Sequence, residues 1–130
     1  MLEINNLTTK KINKAKINKI ALAFFKKYKF PSDELVSLAI ISDKKMKQIN
    51  SVYRGQDKTT DVLTFVDLNE ILININQIIR QAKESGRKIN EEFDFIFVHG
   101  LLHLIGLTDD TEKGRLKMIK MGEEFLESLK

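Results

Sequence analysis

The chain has no cysteine and no tryptophan, one proline, and only two histidines. Without thiols, neither a disulfide framework nor a thiolate metal site can form, so any metal must be held by His, Asp, Glu or backbone oxygen. No apolar run approaches the ~18 residues that mark a membrane span. The opening residues MLEINNLTTKK lack the apolar core that follows the basic head of a secretory leader. A cytoplasmic protein with no membrane partner is therefore expected. Repeats, linkers and low-complexity tails are also missing, apart from one lysine-rich run. At 130 residues the chain is expected to form one domain, 1–130, large enough to bury a core without staples.

Charge is present, and it is segregated. Lys10 to Lys29 includes eight lysines and no acid, whereas residues 91–130 carry nine acids against five bases. That local −4, within a net charge of +4, leaves +8 on residues 1–90. A basic half suits a polyanion such as nucleic acid. Solvated helix faces written in Lys and Asn give the same pattern, and composition does not separate the two.

Apolar periodicity divides the chain into short elements. LEINNLT (2–8) reads as a strand. Residues 17–30 read as an amphipathic helix with apolar positions Ile17, Ile20, Ala21, Phe24, Phe25 and Tyr28, stopped by Pro31. LVSLAIIS (35–42) is a central strand, and residues 43–55 a helix capped by Asp43 and stopped by Gly55. VLTF (62–65) and EILININ (70–76) are strands, the second with one better-buried face. Helices follow over 77–86, from Asn90 as cap to Gly106, and over 111–129. The order βαβαββααα implies an α+β fold, a four-stranded mixed sheet with helices packed on it.

The chemistry concentrates in HGLLHLIGLTDD, His99 to Asp110. Histidines at i and i+4 share a helix face, so both imidazoles can reach one ion. Two core or cleft histidines bonded to carbonyls or carboxylates would give the same spacing. Gly106 lies where a helix can end in a left-handed turn, which would bring LTDD back toward the histidine face. Asp109 or Asp110 would then supply a third ligand. Two imidazoles and one carboxylate leave a position open on a divalent ion, the mark of a catalytic site. Gly100 stands where H-E-x-x-H carries its general base, which argues against peptide hydrolysis. A glycine costs about 1 kcal/mol inside a helix relative to alanine, so something approaches closely there, another backbone or substrate. Upstream, Arg54 sits at a helix end before a polar loop. It either complements the helix dipole or binds a phosphate through paired hydrogen bonds.

The two stretches resemble the YbeY family of bacterial endoribonucleases. The family pattern H-G-x-L-H-L-x-G-x-D-H aligns with His99-Gly100-Leu101-Leu102-His103-Leu104-Ile105-Gly106-Leu107-Thr108-Asp109, and N-x-x-Y-R-G-x-D-K-x-T-(D/N)-V-L-S-F with NSVYRGQDKTTDVLTF. Met118 also falls where the family usually carries methionine. The resemblance runs from about Leu35 onward. Two departures stand out: the third family histidine is Asp109 here, and FVDLNEILI lacks the family's proline after Phe65 and has Glu70 at its aspartate.

The resemblance implies a metal-dependent, single-strand-specific endoribonuclease acting in rRNA maturation and ribosome assembly. His99, His103 and Asp109 would hold one divalent ion, zinc first, with iron(II), manganese or nickel also compatible with that ligand set. Arg54 would clamp the scissile phosphate, and Lys58 with the lysine-rich face would steer single-stranded RNA or rRNA. The rival expectation is a non-catalytic ribosome-biogenesis factor that binds rRNA or a ribosomal protein over a degenerate metal site. A metal-dependent hydrolase of a small substrate is a third.

Overall fold

The computed structural model describes residues 1–130, and its elements follow the expected order. They are β1 (Leu2–Asn6), α1 (Lys14–Lys27), β2 (Val36–Ile41), α2 (Asp43–Arg54) and β3 (Val62–Phe65), then a 3-10 turn (Val66–Leu68), β4 (Glu70–Asn74), α3 (Ile75–Ser85), α4 (Ile89–Leu104) and α5 (Glu112–Ser128). The strands make one sheet in the spatial order β1-β2-β4-β3. β1, β2 and β4 run parallel, and β3 pairs antiparallel with β4 at the edge. This is the α+β, mixed four-stranded architecture that the apolar periodicity implies.

The two faces of the sheet are covered unequally. Val36, Leu38 and Ile40 of β2 with Ile71 and Ile73 of β4 join residues of α1, α3, α4 and α5 in a cluster of 21 buried residues. Phe24, Phe97 and Phe125 are fully enclosed there. The other face carries a cluster of only four, Ile41, Met46, Leu63 and Leu72, under α2. That helix buries Leu72, so β4 is covered on both faces rather than on one better-buried side as its alternation predicts.

Several element ends differ from expectation, each for a local reason. Helix α1 stops before Pro31. Lys29 adopts a left-handed φ of 53°, the Phe30 N–H donates to the Phe25 carbonyl, and the two rings stack at 5.0 Å. Asp43 does not cap α2. Ser42 holds the cap position, and the Asp43 carboxylate instead accepts two bonds of 2.7 Å from the Arg80 guanidinium. Strand β4 gives way to α3 at Asn74, whose side chain accepts the Asn76 and Gln77 N–H groups. Helix α4 is capped at Lys88 rather than Asn90, and the Glu91 carboxylate reaches back to the Lys88 N–H at 3.1 Å.

Candidate metal centre

Helix α4 is buried along most of its length, with Phe97, Val98, Leu101 and Leu102 fully enclosed. His99 and His103 leave the core on one side, their rings perpendicular with centroids 4.8 Å apart. The helix ends as expected at Gly106, in a Schellman turn. Gly106, at φ 103°, donates to the His103 carbonyl, and Leu107 donates to the Leu102 carbonyl. The same turn aims the Leu107 carbonyl at His103, whose Nδ1–H donates to it at 3.0 Å. In the neutral ring a proton on Nδ1 leaves the lone pair on Nε2, the nitrogen a metal ion would use.

Beyond the turn the chain returns across the histidine face. Asp109 Oδ2 lies 3.3 Å from His99 Nε2 and 3.4 Å from His103 Nε2. One ligand atom from each of the three residues falls within 4.8 Å of the others, so the group can hold a metal ion. Asp110 is exposed and stands outside this group. Burial pushes the Asp109 carboxyl up, but the His99 hydrogen bond and the His103 and His99 charges outweigh it, leaving a net lowering. The donor set of two nitrogens and one oxygen fits a borderline divalent cation.

Two glycines set this geometry. A Cβ on Gly100 would sit 3.0 Å from Ile71 Cγ2 and 3.3 Å from Val62 Cγ2, and the Thr64 hydroxyl donates to the Gly100 carbonyl at 3.2 Å. The close approach is thus between helix and sheet, and a glutamate at this position would enter that seam. A Cβ on Gly114 would lie 2.7 Å from the Thr108 carbonyl oxygen, so the first turn of α5 rests directly on the backbone before Asp109. The Thr111 hydroxyl caps that turn by accepting the Gly114 N–H at 3.0 Å.

The group faces a cleft of about 760 Å³ walled by β3, α4 and the turn into α5. Arg54, from the end of α2, lines it. Arg115 lines it too, a residue that the two motifs do not single out and whose one local signal is an E-x-x-R that starts one residue after TDD. Arg115 is paired with Glu112, with Nη2 to Oε1 at 2.7 Å. Lys58 is exposed and does not line the cleft; its backbone carbonyl accepts from Asn50 Nδ2 at 2.8 Å. The lysine-rich α1 packs on β1 and α4, at the sheet edge opposite β3. None of its lysines lines the cleft.

Fold and site together define a single-domain α+β protein with a two-histidine, one-carboxylate group in the wall of a cleft. The chain belongs to the YbeY family: residues 3–130 match the family model described as Endoribonuclease YbeY. It is 31% identical over 136 residues to the Endoribonuclease YbeY of Nautilia profundicola, covering 99% of this chain and 91% of that protein. The protein of the same name from Nitratiruptor sp. is 36% identical over 96 residues, covering 68% of this chain and 67% of the relative. Among solved structures, the solution structure of TM1509 from Thermotoga maritima superposes with a TM-score of 0.66 at 25% identity, over 99% of this chain and 91% of that one.

Proposed function

We propose that this protein is a metal-dependent endoribonuclease that cuts single-stranded RNA, with rRNA maturation and ribosome assembly as its setting. The carrying observation is that His99, His103 and Asp109 bring one ligand atom each within 4.8 Å of the others, in the wall of a cleft that Arg54 also lines. The name Endoribonuclease YbeY, borne by its relatives, supports RNA as substrate.

In this reading His99, His103 and Asp109 hold one divalent ion, zinc first. When bound, such an ion supplies Lewis acidity toward a phosphoryl oxygen and makes water more acidic. The chain's own groups do the rest. The Leu107 carbonyl keeps His103 in the tautomer that presents Nε2. The Arg54 guanidinium binds the scissile phosphate and stabilises charge developing on its oxygens. Lys58 acts outside the cleft, on the approaching strand.

One observation favours a second reading, a factor that binds rRNA or a ribosomal protein without cutting. The third donor is an anionic carboxylate, which cancels a unit of the ion's charge and weakens its Lewis acidity. Elemental analysis of untagged protein, paired with RNA cleavage assays with and without chelator, separates the two. The nuclease reading expects stoichiometric metal and chelator-sensitive cleavage, lowered about 100-fold or more in Arg54→Ala. RNA binding without stoichiometric metal or cleavage would instead establish the binding factor.

A further inference from the structure

We propose that Tyr53 and Phe65 form a platform on which one nucleobase of the RNA strand stacks beside the metal cleft. The inference rests on RNA being the substrate. Tyr53, in the last turn of α2, is 69% exposed although it is a large aromatic residue. Its ring meets Phe65 edge to face, with centroids 5.6 Å apart. Phe65 lines the metal cleft and also a second groove of about 590 Å³ between α2 and the thinly covered face of the sheet. That groove is mostly apolar, and Val52 and Leu68 in its walls are 77% and 68% exposed. Helix α2 alone covers this face, so the exposure follows from the fold.

A contiguous exposed apolar patch of this kind marks a binding surface. Charge and continuity point to its occupant. Arg54, adjacent to Tyr53, lines the cleft on one side, and Lys45 lines the groove on the other, with Glu70 the one acid in its walls. An apolar floor between two cations matches a strand that alternates bases with phosphates. A base presents an open face only when it is unpaired, so the platform gives selection of single strands a physical source. Base–aromatic stacking is also tolerant of sequence.

The test is equilibrium binding of a fluorescent oligouridylate against an abasic strand of equal length and charge, with strand integrity checked by gel. Wild type should prefer the base-bearing strand roughly tenfold, the effect of one stacked base. Tyr53→Ala should abolish that preference and leave affinity for the abasic strand within about twofold, while Tyr53→Phe should keep it. The platform is overturned if wild type shows no preference, if Tyr53→Ala retains it, or if Tyr53→Ala weakens both strands alike. A wild-type dimer that Tyr53→Ala splits in sedimentation overturns it too, because the groove then receives a second copy. The readout is binding, so a protein that prefers bases without cutting keeps the platform and loses only the nuclease reading.

Discussion

Asp43 and Asp109 have equally exposed side chains, 40% each, yet their surroundings finish them differently. Asp43 is saturated with donors: two bonds from Arg80 and one from Asn74 Nδ2, all at 2.7 Å. The Arg80 guanidinium, with help from Asn74, holds its pKa down at about 2. Asp109 faces two imidazole nitrogens at 3.3 and 3.4 Å, and hydrogen bonding at His103 Nδ1 leaves a lone pair on the facing Nε2. A carboxylate matched by hydrogen-bond donors is a structural joint. One that lies within reach of two imidazole nitrogens can share a cation with them.

That contrast is broken most sharply at the histidines. His103→Ala removes one of the three groups that could hold an ion and should lower zinc affinity by at least about 100-fold in calorimetric titration. Asp43→Ala, in the saturated cluster, should leave that affinity within about twofold. Equal losses from both variants would mean that the two carboxylates do not differ in kind.

The loop aspartates give the next largest effect. Asp109→Ala should weaken zinc binding about 10- to 100-fold, Asp109→His should retain it, and Asp110→Ala should change it less than about twofold. Loss of the ion on Asp110→Ala alone would make Asp110, not Asp109, the third ligand.

The same contrast explains what could be read in advance. The histidine pair, Gly106 and the returning aspartates lie within twelve consecutive residues, so i,i+4 spacing and a helix-ending glycine carry nearly the whole group. Element order was legible because apolar spacing is also local. The exact caps were not: Asp43 is drawn from its helix end by Arg80, 37 residues away, a partner no local pattern displays. Arg115 and the Tyr53–Phe65 pair stayed hidden for a related reason. The cleft and groove they line are assembled from α2, β3, α4 and α5, and only the fold brings those together. Gly100 gave an ambiguous signal, since a close approach can be made by substrate or by the sheet, and here it is the sheet.

A smaller effect is expected at Gly114, which touches neither carboxylate. An added Cβ meets the Thr108 carbonyl at 2.7 Å, and backbone cannot swing aside as a side-chain tip can. Gly114→Ala should therefore shift the Asp109 loop and weaken zinc binding about three- to tenfold, while the improved helix propensity, worth up to ~1 kcal/mol, offsets part of the strain in thermal unfolding. Unchanged zinc affinity would show that the loop is positioned by the Schellman turn alone.

The smallest effect tests the saturated carboxylate through pH. Asp43 has its pKa lowered from 3.8 to about 2 on folding, so the unfolded chain binds its proton more readily. Its contribution to stability is full above about pH 4 and fades as pH falls through 3.8 toward 2. Both partners are more than a third exposed, with side chains 40% and 46% accessible, so solvent screening limits the pair to about 0.5–1 kcal/mol. Asp43→Asn should accordingly be less stable than wild type by about that amount in urea unfolding at pH 7, and the gap should close as the pH approaches 2. A gap that stays constant between pH 7 and pH 2 would mean that packing around Asn74, rather than charge, is what Asp43 contributes. The saturated and unsaturated carboxylates would then differ in ligand chemistry but not in electrostatics.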